Sequence, residues 1–172
     1  MHPNRGVLAA LVAALCLSAA AAQAELTISF FDKAVYTPGS DVYVKVTVRN
    51  GSPSTWRFKL ADEKRLSVGF EVRSLANRRL EASDSWKRAM SSSSPAYYRE
   101  LAIQPGEEYS FVENVADYVA LSEPGAFFVT CTLYPELTGR TAEPSAIRSN
   151  ALSLSIRPGA PTPAVAETFA AG

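Results

Sequence analysis

The sequence predicts an all-β chain folded as an antiparallel immunoglobulin-like β-sandwich of about seven to eight strands, with no disulfide. Three observations carry this. Many short segments alternate apolar with polar side chains, the period of a strand with one buried and one wet face. Pro-Gly and Asn-Gly-Ser-Pro turns recur between them, where proline presets φ and glycine accepts a positive one. Helical periodicity is scarce throughout. A closed barrel is the rival that strand count alone leaves open.

Residues 1–24 begin with Arg5, run apolar from Val7 to Ala22 and end in Ala22-Gln23-Ala24 before Glu25, the form of a secretory signal peptide. The run falls short of the roughly 20 apolar residues a membrane crossing needs, so no span is expected once the leader is removed. Cys16 lies inside it, but the preceding Leu15 is not the small residue that lipid modification requires. The expected location is periplasmic or secreted. Residues 25–158 then form one sandwich, and 159–172, rich in Pro and Ala without period, a flexible C-terminal tail.

Seventeen basic and seventeen acidic residues balance, so no bulk field invites nucleic acid or an anionic membrane. Cys131 is the one cysteine beyond the leader, which excludes an internal disulfide even in an oxidising compartment. The only histidine, His2, leaves with the leader. Its loss excludes Ser-His-Asp and Cys-His nucleophiles and most zinc or copper sites, so no catalytic set, cofactor or metal is expected.

In chain order, Leu26, Ile28 and Phe30 point one way along a first strand. After the turn Tyr36-Thr37-Pro38-Gly39, Val42, Val44, Val46 and Val48 alternate with Tyr43, Lys45, Thr47 and Arg49 in the central strand, which ends at Asn50-Gly51-Ser52-Pro53. Trp56, Phe58 and Leu60 share the next apolar face, the tryptophan reading as core. Ala61 to Arg65 is a charged, solvated turn, since Asp62 and Glu63 alone supply too few oxygens for calcium. Leu66, Val68, Phe70 and Val72 make a further strand, closed by a turn at Asn77-Arg78-Arg79.

From Glu81 to Pro95 the alternation stops, and the four serines before Pro95 mark a flexible loop. Trp86, Arg88 and Met90 lie in it, with Tyr97, Tyr98 and Arg99 at its far base. Trp, Tyr and Arg dominate binding hot spots, so these six residues are the candidate partner-binding set. Ser85 and Lys87 could form a dyad only if something held them together. Tyr97 to Ile103 returns to strand and turns at Gln104-Pro105-Gly106, before Tyr109 and Phe111 alternate with Glu108 and Ser110. Glu107 and Glu108 point to opposite faces and cannot share a site, and Glu107, Glu108 and Glu113 read as a solvated strand edge. Val115 to Leu121 is a short helical turn. Phe127, Val129, Cys131 and Leu133 then line a buried strand face, making Cys131 a small hydrophobe. A polar connection, Pro135 to Asn150, leads to a last strand with Leu152, Leu154 and Ile156.

The turn Tyr36-Thr37-Pro38-Gly39, the strand ending at Asn50, then Gln104-Pro105-Gly106-Glu107 and Glu123-Pro124-Gly125-Ala126-Phe127 resemble bacterial immunoglobulin-like domains of the BsuPI proteinase-inhibitor type. Phe127 stands near the place where that family usually has tyrosine, and the serine-rich loop is an addition. The stretch from Asp32 to Gly39 is also similar to macroglobulin-type domains. The resemblance covers about residues 26 to 157 in turns and core positions, and implies fold rather than chemistry. The expectation is therefore an exported, non-catalytic binding or structural module that contacts a protein or an envelope component. The alternative implied by the resemblance is a proteinase inhibitor presenting residues 84–95.

Overall fold

The computed structural model describes residues 24–93, 95–137 and 145–159. Two sheets, antiparallel except for one short strand, face each other, as in immunoglobulin-like sandwiches. In the first, β1 (Glu25–Phe30) and β7 (Glu108–Asn114) flank the central β3 (Tyr43–Arg49). In the second, β8 (Gly125–Leu133) lies between β5 (Val68–Ser74) and β10 (Leu152–Ile156). Two very short strands complete it: β2 (Val35–Tyr36) runs parallel to β10, and β9 (Ile147–Arg148) pairs with β8. A separate ribbon pairs β4 (Trp56–Ala61) with β6 (Tyr98–Ile103).

The valines that alternate through β3 explain why it is central. Val42, Val44, Val46 and Val48 are fully buried, facing Val129, Cys131 and Leu133 from the other sheet within one core. Each contributes about 2 kcal/mol relative to an exposed position, and a one-residue slip would turn all four to water. Trp56 stacks on Phe58 with ring centroids 4.6 Å apart, so its place is the core. Tyr36, 2% exposed, pins the bend after β1 by donating to Asp32 and Lys33 O; burial and its bond to Asp32 push the phenol up to about 12.

The ribbon β4–β6 prolongs the pairing of β3 with β7 beyond a break. Asn50 N–H donates to Glu107 O at 3.0 Å and Gly106 N–H to Asn50 O at 2.8 Å, so both chains leave the sheet at the same level. Gly106 sits at φ +79°, a conformation that the Pro105-Gly106 turn requires. Lys59 N–H reaches Pro135 O and ties the ribbon to the end of β8.

Four sequence expectations change. The stretch 81–95 is not a loop throughout: α1 (Asp84–Ser91) occupies most of it. Its serines and charges mask a short helix with an N-cap, since Ser83 receives Trp86 N–H at 3.0 Å. The charged turn at 61–65 is built rather than merely solvated, because Glu63 caps a 3₁₀ turn, Lys64–Leu66, that also removes Leu66 from the strand. Glu113 leaves the solvated edge and faces inward with Tyr109 and Phe111, partly covered. The connection before the last strand contains β9, which was too short to read; residues 138–144 of that connection, the leader and the tail beyond Gly159 lie outside the described residues.

Candidate functional site

The candidate site is built around α1. Residues 80–83 run beside the second sheet, with Leu80 N–H donating to Val72 O and Ser83 N–H to Tyr118 O. Ser83 then does two jobs with one hydroxyl: it accepts from Trp86 N–H and donates to Asp117 O at 2.6 Å. That fixes where the helix starts. Asp84 in the first turn and Arg88 in the last suit the helix dipole.

Trp86 and Met90 stand four positions apart, yet they serve different places. Trp86 packs half-buried on the core and walls a cavity of about 360 Å³ with Phe70, Leu80 and Tyr118. Met90 lines a groove of about 490 Å³ with Arg88, Ala89, Leu66 and Pro95, between the helix and the 64–66 turn. Arg65 closes the inner wall. Its guanidinium donates to both Glu63 carboxylate oxygens, at 2.7 and 2.9 Å, and to Ser85 Oγ at 2.7 Å. The forked pair holds the Glu63 carboxyl below its ordinary range. Among the described residues no side chain pairs with the Arg88 guanidinium, which is exposed and lines a groove of mixed polar and apolar residues.

The other half of the predicted set lies past the groove. Asp62 N–H bonds Tyr97 O, and β6 begins at the next residue. Tyr97 and Tyr98 are 70% and 57% exposed, too open to be edge cover. Tyr98 lies 6.0 Å from Lys59 Nζ, and Arg99 reaches Asp62 at 3.9 Å. The outer edge of β6 pairs with no described strand, leaving its backbone groups open to a partner. The structure thus brings Arg88 and Met90 into one groove, sets Tyr97, Tyr98 and Arg99 on the adjoining edge, and puts Trp86 against the core at the wall of the neighbouring cavity. Sequence reasoning missed Glu63, Arg65 and Leu66. The signal was present in Glu63 two positions before Arg65, but a run of charges hides a cap.

Ser85 Oγ is held by Arg65, and Lys87 turns to Asp84 at 3.5 Å, so no Ser-Lys dyad forms. Cys131 is fully buried, and that burial pushes its thiol far up. Glu113 is raised by burial although Tyr118 Oη donates to it at 2.7 Å. Among the described residues no three His, Cys, Asp or Glu side chains gather as a metal site, and no helix is long and apolar enough to cross a membrane.

Comparison with known proteins gives one family. The flagellar collar protein C N-terminal domain matches residues 25–157, from the first residue of β1 to just past β10. No curated protein matches. Among solved structures, the sporulation control protein Spo0M of Bacillus subtilis is 16% identical over 80% of this chain, with a TM-score of 0.44; the chain spans 50% of Spo0M. The CARDB domain of the PF1109 protein of Pyrococcus furiosus, solved in complex with di-metal ions, is 14% identical over 78% of this chain and 87% of its own, TM-score 0.39. A β-glucuronidase of Bacteroides uniformis is 12% identical over 77% of this chain and 13% of its own, TM-score 0.38.

Proposed function

The chain belongs to the flagellar collar protein C N-terminal domain family, and from that membership we propose that it is an exported, non-catalytic structural module of a flagellar collar, held there by contact with another protein. The observation that carries the proposal is the extent of the match, which takes in every strand from β1 to β10. A signal peptide at 1–24 would deliver the chain to the periplasm, where a collar around a flagellum could be assembled.

In this reading the contact is the groove beside α1 together with the open edge of β6. Met90 and Leu66 offer an apolar floor, Arg88 an unspent cation, and Tyr97 and Tyr98 rigid aromatic area. Deleting the gene and imaging flagella in intact cells by electron cryotomography should remove periplasmic density around the flagellum. A chain lacking residues 1–24 should stay inside and fail to restore it. Unchanged density after deletion would end the proposal.

The narrower resemblance to BsuPI-type inhibitors would turn residues 84–95 toward a protease. α1 already bonds much of that backbone internally, which leaves little to pair as an extended strand in a protease cleft. Inhibition without cleavage in a panel of serine and metalloproteases would restore that reading.

A further inference from the structure

The outer faces of the two main sheets carry exposed patches of opposite character. On the face of β5, β8 and β10, Phe128 is 44% exposed and stands directly across from Arg73 on one side and Ser153 on the other. On its β10 side Ala126, Ser153 and Ser155 are small, so the ring stands clear of that side of the face. Arg73, Arg148 and Arg79 all turn toward a single carboxylate, Glu71, with Arg148 at 3.5 Å and Arg79 at 4.0 Å. One carboxylate cannot neutralise three guanidiniums. This face is positive around a bare phenyl ring.

On the face of β1, β3 and β7, Phe31, Tyr43 and Val112 are 62%, 40% and 41% exposed. Phe31 N–H donates to Tyr43 O, which sets the two residues opposite each other at the end of the β1–β3 pairing. Asp41 accepts from Asn114 at 2.8 Å beside them. Tyr43 Oη donates to Asp41 at 3.4 Å and Asp32 follows Phe31 in the chain, so carboxylates flank this patch; Asp41 foremost, with Asp117 and Asp32 adding, raises the phenol. Lys33 lies nearby over the Tyr36 ring, and Lys45 is one row along β3, which leaves the carboxylates in the majority.

We propose that these faces are the two halves of one contact between copies of this chain, the Phe31–Tyr43 patch with Asp32, Asp41 and Asp117 on one copy meeting Phe128 with Arg73, Arg79 and Arg148 on the next. The patches differ, so the contact is heterologous: each copy that docks leaves the complementary face free, and the assembly closes as a ring or runs on as a filament. The inference deepens the collar reading and rests on it for the use of such an assembly. Aromatic anchors inside opposite-charge rims supply affinity at the centre and register at the edge.

Sedimentation velocity of the purified chain tests it. Association should grow with concentration and weaken about tenfold or more near 0.5 M salt, where screening shortens charge interactions to a few ångströms. Arg73→Glu/Arg148→Glu and Asp41→Lys/Asp117→Lys should each sediment as monomers, with unchanged circular dichroism. Mixed in equal amounts, they should associate again, because each variant keeps the unaltered face that the other needs and the two reversed faces also match. Phe128→Ser should weaken association with every charge left in place. A wild-type chain that stays monomeric at all concentrations, an Asp41→Lys/Asp117→Lys chain that associates like wild type, or a mixture that stays monomeric would overturn the contact. Any of these, with collar density still lost on gene deletion, removes the self-contact and leaves the collar reading intact.

Discussion

Asn50 and Ser83 are both polar, both buried, and both placed where the chain changes direction, yet they hold different things. The Asn50 amide donates to Ser54 O at 2.7 Å and to Ile103 O at 2.9 Å, while its oxygen accepts from Ser52 N–H and Ser52 Oγ. Its backbone binds Glu107 and Gly106 as well. One side chain thus locks the exit of β3 to the exit of β6, 53 positions away. Ser83 starts α1 and reaches Asp117, but everything beyond the helix is surface. The first residue secures the sandwich; the second secures an attachment to it. A module that must present a binding groove without risking its core benefits from that separation, because local opening of α1 need not open the sheets.

The largest effect should come from breaking the strand junction. Asn50→Ala removes the amide that donates to the Ser54 and Ile103 carbonyls and frees the Ser52 turn, a loss of about 3 kcal/mol. Urea unfolding should show the midpoint falling for every probe together. Asn50→Asp sharpens the point: a carboxylate placed against two carbonyl oxygens should cost more than alanine at neutral pH and less in acid, where it regains a donor. If Asn50→Ala moved the midpoint by less than about 1 kcal/mol, the junction would not be what holds the ribbon to the sheet.

Ser83→Ala should cost less, about 1 to 2 kcal/mol, since one cap and one bond to Asp117 disappear. The distinguishing sign is where it acts. Amide exchange should quicken across 84–91 while Val44, Val46 and Val129 keep wild-type protection. Uniform quickening would show that helix and sandwich open as one, and the contrast with Asn50 would fail.

The same contrast explains what could be read from the sequence. Period-2 alternation at Val42 to Val48 or Phe127 to Leu133 states both strand and buried face, because hydrophobic burial decides those positions nearly alone. The Pro-Gly turns were legible for the same reason, a single residue property forcing one backbone. α1 was not, since its eight residues hold too few apolar side chains for a period and its cap is a serine among serines. Of the candidate set, Arg88, Met90, Tyr97, Tyr98 and Arg99 were picked by residue type and lie on or beside the groove, but type does not say which way an indole turns, and Trp86 packs half-buried at the wall of the neighbouring cavity. Arg65 and Glu63 come to α1 from 20 positions earlier in the chain, a proximity that only the tertiary fold creates.

Glu113 gives the smallest effect and the most selective test, for it lies on the α1 side of the contrast, bonded to the same Tyr118 whose carbonyl receives Ser83. Burial outweighs the Tyr118 bond and raises its native pKa above the ordinary carboxylate value. A group raised on folding favours the protonated native state, so its contribution is full below the unfolded pKa and is lost as pH climbs through the native one. Glutamine keeps an acceptor for Tyr118 and never ionises. Glu113→Gln should therefore match wild type near pH 4 and gain on it by pH 7, read from urea midpoints at both. Glu63 and Glu71, lowered by Arg65 and Arg73, shift stability in the opposite sense, losing it as pH falls, but they are present in both chains and cancel from the difference. A gap that stays constant from pH 4 to pH 7 would mean that Glu113 titrates as a solvated carboxylate, and that the crevice between Tyr118 and β7 is open to water rather than sealed by the turn that anchors the helix.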